Sequence, residues 1–300
     1  MTVEIVEPRN IGEALDKLTS LSLKFPRTEF VFRGQQCDQW RLQTSYDPYW
    51  GGQPMYGDPS VGEFFVDSMV AQFRSGVLRL GLQGPVKGNL EWLEFGRHHG
   101  LPTPLLDFTW SPFEALFVAL DGLRAKRNSN TNSVVYCLNL NSLAVEVARN
   151  SVDGLTVHRA EVQRFLHEGH VLFENSFPVN KPLFIRYPSA NTRRMLVQLG
   201  TFLYCTKLFS DGSEHPRDLE EYFERINEHS NRQTSEEGGL PVLTMIKIPH
   251  TWYGEVFCRL ELMGITDASM YLSAEGVSRD VFNAFHFVSR AAFLREEFGS

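Results

Sequence analysis

The sequence predicts an α+β fold, a single mixed sheet flanked by helices. Three observations predict it. Segments of helical and of strand-like periodicity both occur, but without the regular strand–helix alternation of a doubly wound parallel sheet. Apolar residues make up 42% of the 300 positions and charged residues 22%, enough to bury a sizeable core. No linker separates two cores and no repeat is visible, so residues 1–300 read as one domain with a charged, partly mobile insertion at 209–240.

The elements follow in order. Ile11, Leu15, Leu18 and Leu21 recur at helical spacing behind Asn10, a residue suited to cap a helix, so a helix is predicted over 10–24. Phe30-Val31-Phe32 after Pro26 reads as a strand. Residues 44–60, rich in Gly, Pro and Tyr, read as a loop. Helices are predicted at 61–82 and 89–98, then a turn over 100–106 entering a short apolar run. Pro112, placed where a first helical turn accepts proline, opens a buried helix in PFEALFVALDGLR. The β-branched and aromatic stretch 133–138 predicts a strand, and 158–167 a helix. Asn191 to Gln198 is helical or extended, followed by strands at 201–206 and 241–248. Helices at 252–264 and 278–296, with MYLSAEG between them, complete the chain.

Composition narrows the function. A net charge of −7 argues against a general binder of phosphate backbones, though not against a small basic pocket for one phosphate group. No run approaches the roughly 18 apolar residues of a membrane helix, and MTVEIVEPRN does not resemble a secretory signal, so a cytoplasmic location is expected. Cys37, Cys137, Cys205 and Cys258 form no CxxC pair and read as reduced thiols, with no metal site expected. The 23 phenylalanines are first of all core material.

Two segments carry chemistry. Phe32-Arg33-Gly34-Gln35 places an arginine at a strand end, where a guanidinium makes bidentate bonds to phosphate or carboxylate and glycine permits close backbone approach. A structural arginine paired with a buried acid fits equally well. The stretch from Gly96 to Thr109 gathers His98, His99, Thr103, Asp107 and Thr109. Adjacent histidines diverge in most backbone conformations, and a histidine in a turn is more often structural than catalytic. Asp107 either caps the helix near Pro112 or pairs with an arginine.

The pieces FRGQ, RHHGLPTPLLDFTWSPFEALFVAL and RRMLVQLGTF resemble the FRG domain, named for its (F/Y)RG motif. That family shows Gln-His-His/Tyr-Gly-Leu-Pro-Thr-Arg-Leu-Leu-Asp-Trp-Thr, an Ala-rich helix and an Arg…Gln-x-Gly-x-Phe segment. Here Arg97 stands where Gln is usual, Pro104 where Arg is usual and Phe108 where Trp is usual. A second likeness is to ADP-ribosyltransferases of the Arg-Ser-Glu type, in which a strand ending (F/Y)RG precedes a Ser-Thr-Ser strand and a Glu-bearing strand. That likeness implies an ADP-ribosyltransferase-like sheet and NAD as co-substrate. Arg33, His99, Asp107, Thr109 and Gln198 would be the catalytic group, and Arg33, Gly34, Gln35, His98, Thr103 and Thr109 the nucleotide-binding one. Gln198 stands at the position of the glutamate, and Asp107, Glu94 or Glu174 would then supply the negative charge. Three functions follow as expectations: ADP-ribose transfer to a protein or nucleic-acid target, in a toxin or phage-defence role; a non-enzymatic module binding a nucleotide or a partner protein; and a hydrolase using His98 or His99 with Asp107.

Overall fold

The structure is a computed structural model and describes residues 3–23, 30–45, 59–85, 88–121, 123, 131–140, 142, 183–186, 197–205 and 241–285. The helix expected at 158–167, the insertion at 209–240 and residues 286–296 of the last helix lie outside them. Seven strands form one sheet: β1 (Val3–Val6), β2 (Phe30–Gln35), β3 (Leu105–Thr109), β4 (Asn132–Asn139), β5 (Leu183–Arg186), β6 (Gly200–Cys205) and β7 (Leu243–Pro249). Their order is β1-β7-β4-β2-β3-β6-β5. Among the described strands only the β1–β7 pairing is parallel; the others are antiparallel, so the sheet is mixed, as the sequence predicts.

The helices are α1 (Ile11–Ser22), α2 (Pro59–Arg79), α3 (Asn89–His98), α4 (Pro112–Leu120), α5 (Tyr253–Leu262) and α6 (Asp267–Tyr271), and residue 274 begins a further helix, α7. Local chemistry places their ends. The Asn10 side chain accepts from the Glu13 backbone N–H at the start of α1. Ser111 does the same for Glu114 ahead of α4, with Pro112 in the first turn.

Among the described residues, two clusters of buried apolar side chains pack against the sheet. Phe30 and Phe32 of β2 pack with Leu18 of α1, Phe117 of α4, Ile246 of β7 and Phe257 of α5 in the larger. The smaller joins Val66 and Val70 of α2, Trp92 and Leu93 of α3, Leu105 of β3 and Phe202 of β6. Between the two cores, the sheet nearly divides. β2 pairs with β4 over all six of its residues but meets β3 at one register pair, Phe32 with Thr109.

The structure departs from the sequence reading at several places, β5 and residues 274–277 of the last helix among them. β1 lies where no element is expected, because its partner β7 is far away in the chain and its four residues carry little periodicity. Pro59 and Ser60, read as loop, belong to α2. Met270 and Tyr271, read as a connection, form the end of α6, which Thr266 starts with a reciprocal cap through Ser269. Among the described residues, no helix is long and apolar enough to cross a membrane.

Candidate functional site in the split of the sheet

An antiparallel ladder that stops after one pair leaves backbone donors and acceptors to satisfy elsewhere. Beyond Phe32–Thr109 the strands part, and the Arg33 side chain spans the gap: its Nη1 donates to the Asp107 carbonyl oxygen at 2.8 Å. A guanidinium thus stands where a ladder bond would have been. The opening beside it is a cavity of about 410 Å³, within the range of small-molecule sites.

Side chains alternate across a strand, so Leu105, Asp107 and Thr109 share one face of β3. Leu105 enters the smaller core. Asp107 reaches α3, accepting from Arg97 Nη2 at 2.6 Å and, more weakly, from Nε at 3.5 Å. Arg97 is steadied further by donating from Nη1 to the Ser45 hydroxyl at 2.7 Å. Arg33 Nη1 lies 4.0 Å from the same carboxylate. The Asp107 side chain remains 46% accessible, whereas those of both arginines are 20% accessible. Burial works to raise the Asp107 carboxyl, but the charge and hydrogen bond of Arg97, with Arg33 and His98 beside them, outweigh it and hold the group below its ordinary value. Among the described residues, the guanidiniums of Arg33 and Arg97 meet the Asp107 carboxylate at this end of the cavity.

Thr109 turns to the opposite end. Its hydroxyl lies 2.8 Å from the Gln198 carbonyl oxygen and 3.0 Å from Glu114 Oε2, and it accepts from the Ser111 backbone N–H at 3.0 Å. Burial pushes the Glu114 carboxyl up to about 7, against the lowering pull of the Thr109 hydroxyl. Gln198 donates its side-chain amide to the Met270 carbonyl at 2.8 Å, tying the turn before β6 to α6. Leu199, next in that turn, has φ +43°, a left-handed conformation unfavourable for leucine.

Of the residues singled out from sequence, the cavity is lined by Arg33, Gly34, His98, Asp107, Thr109 and Gln198. Three others lie elsewhere. The His99 ring packs on Phe95, 4.5 Å between centroids, and lies 6.4 Å from Phe73. Gln35 donates to the Trp40 carbonyl at 2.8 Å. Thr103 is fully buried, its backbone held by Ser45. Glu94 is likewise buried and does not line the cavity, and Glu174 lies outside the described residues. Gly34 needs its missing side chain for a reason other than ligand approach. A Cβ there would sit 1.9 Å from the Ala115 carbonyl oxygen and 2.4 Å from the Ala119 nitrogen, so glycine lets α4 lie directly on β2.

Sequence reasoning passed over Arg97 as a site residue and Glu114 altogether. Arg97 stood out as a departure from the family pattern. Glu114 was hidden because Ser111-x-x-Glu114 before an apolar run reads as a capping box.

The chain is an α+β protein whose cleft holds paired guanidiniums at one end and a protonatable carboxyl at the other. Residues 28–128, about a third of the chain, match the model of the FRG domain. The match includes Arg33, Arg97, His98, Asp107, Thr109 and Glu114, while Gln198, Met270 and Tyr271 lie beyond it. No curated protein and no solved structure matches the chain.

Proposed function

We propose that the cleft binds a nucleotide diphosphate, NAD, and that the protein transfers its ADP-ribose to a protein or nucleic-acid acceptor. The observation that carries this reading is the convergence of Arg33 and Arg97 at the split edge of the sheet. Guanidinium groups present planar, paired donors that match phosphate oxygens, and both are already oriented by protein acceptors. A pyrophosphate entering here would compete with Asp107 for the two guanidiniums. Thr109 and Gln198 line the far end, where hydrogen-bonding groups suit a ribose. NAD supplies the reactive bond between ribose C1′ and the nicotinamide nitrogen; the chain's residues bind and orient it and handle the acceptor's proton. Such chemistry suits a toxin or a phage-defence protein.

A second reading, a nucleotide-binding module without turnover, is favoured by Gln198. Its amide is engaged by Met270, and it adds no negative charge at the position where transferases carry a glutamate. For a hydrolase using His98 or His99 with Asp107, His98 lines the cavity beside Asp107 and His99 lies against Phe95 outside it, while no serine or cysteine is among the described lining residues to serve as nucleophile.

Transfer of label from adenine-labelled NAD to protein or nucleic acid separates the readings. The transferase reading expects transfer by the wild type and its loss in Arg33→Ala, which should still unfold cooperatively at a modestly lower temperature because the Asp107 carbonyl loses its donor. Binding of NAD with no transfer would establish the module instead. Neither binding nor transfer would remove NAD from the account.

A further inference from the structure

We propose that Glu114 is the general base of the cleft, accepting the proton of the acceptor group when that group attacks ribose C1′. The inference rests on the transferase reading above and names the residue that reading lacks, since position 198 holds an amide. Three observations carry it.

First, Glu114 is not occupied by capping. In a capping box, the acid three residues after the cap reaches back to the backbone N–H of the cap residue. Here Thr109 Oγ1 has taken the Ser111 N–H at 3.0 Å, so the Glu114 carboxyl turns to Thr109 and lines the cavity.

Second, hydrogen counting favours a carboxyl that readily gains a proton. The Thr109 hydroxyl has one hydrogen, and two acceptors lie within reach: Gln198 O at 2.8 Å and Glu114 Oε2 at 3.0 Å. When Glu114 is ionised, that hydrogen serves only one of them. When Glu114 is protonated, it donates to Thr109 Oγ1, and Thr109 donates to Gln198 O. Gaining a proton therefore completes a chain that is otherwise one hydrogen short.

Third, the carboxyl sits where burial raises it to about 7, so both protonation states are populated near neutral pH. The groups facing it across the cleft are Arg33 on β2, Arg97 and His98 on α3, Asp107 on β3 and Tyr271 on α6. The cations are drawn to Asp107, leaving burial to dominate at Glu114.

The step balances. The acceptor's nucleophilic atom forms a bond to C1′, and the C1′–N bond breaks with its electron pair staying on nicotinamide, which leaves neutral. The acceptor's proton passes to ionised Glu114 and from there to solvent. The overall products are ADP-ribosylated acceptor, nicotinamide and one proton.

The test compares wild type with Glu114→Gln, whose amide still donates to Thr109 and so keeps the local packing. With adenine-labelled NAD, the wild-type rate should rise from pH 6 to pH 8 along one ionisation near 7. Glu114→Gln should lower transfer by about 10²–10⁴-fold, as loss of a general base does, abolish the pH dependence and leave NAD affinity within about 3-fold by calorimetry. Wild-type turnover that Glu114→Gln retains, with the same pH profile, overturns the role of Glu114 and leaves the transferase reading standing. Absence of turnover in the wild type overturns both.

Discussion

Asp107 and Glu114 face one cavity with the same functional group, and their surroundings drive them apart. Asp107 meets two guanidiniums and is held below its ordinary value; Glu114 meets a hydroxyl and is raised to about 7. Burial acts in the same direction on both, so charge partners decide the outcome. Two carboxylates held at different protonation are a recurring arrangement in sites that bind an anion at one end and move a proton at the other. The contrast arises from β3 itself, whose single face presents Asp107 to α3 and Thr109 to α4.

The strongest way to break this contrast is to separate the two ends. Gly34→Ala would drive a Cβ into the α4 backbone, which cannot yield as a flexible side chain can. A loss of about 3 kcal/mol or more, or failure to fold, is expected in chemical denaturation, together with loss of ligand binding.

Amide substitutions at the two carboxyls should have opposite signs. A carboxyl raised by folding binds more protons folded than unfolded, so its contribution to stability falls as pH rises from about 4.5 through about 7. Glu114→Gln should therefore stabilise the protein by on the order of 2 kcal/mol at pH 8 and change little at pH 4. Asp107 behaves in reverse. Its lowered carboxyl contributes stability that is present above the ordinary value of 3.8 and lost as pH falls through the folded one. Asp107→Asn should cost about 1 kcal/mol at pH 7, a modest figure because the side chain is half accessible to screening water. Thermal melts of both variants from pH 4 to pH 8 check the pair; shifts of the same sign would remove the contrast. The smallest effect is expected at the turn beside Glu114's end. Leu199→Gly should relieve the left-handed leucine and stabilise by about 0.5 kcal/mol, net of the greater freedom glycine has when unfolded.

Local signals were legible in the sequence and long-range ones were not. Asn10, Ser111 and Pro112 announce helix starts because caps act within three or four residues. The apolar runs of β2, β4 and β7 announce strands buried on both faces. β1 escaped notice because it is an edge strand, defined by pairing Val3 with Leu243 and not by its own pattern. The direction of the adjacent histidines depends on the last turn of α3, which sends His98 towards Phe202 and His99 towards Phe95. At the site, Arg33, Asp107 and Thr109 could be picked out by motif, but their partners could not. Arg97 illustrates the gap. Pro104 removes a cation that the family pattern carries in sequence next to Leu105-Leu106-Asp107, and Arg97, one turn of helix and a loop earlier, returns a guanidinium to Asp107 in space.

The central claim is that Arg33 and Arg97 act together on a pyrophosphate, with Asp107 as their resting partner. Calorimetric titration with ADP-ribose tests it most directly, using wild type, Arg33→Lys, Arg97→Gln and the double variant. Binding by the wild type, weakened about 10- to 100-fold by each substitution and lost in the double variant while each variant still unfolds in one cooperative transition, is the predicted result. Equal affinity in all four proteins, or no binding by the wild type, would contradict it.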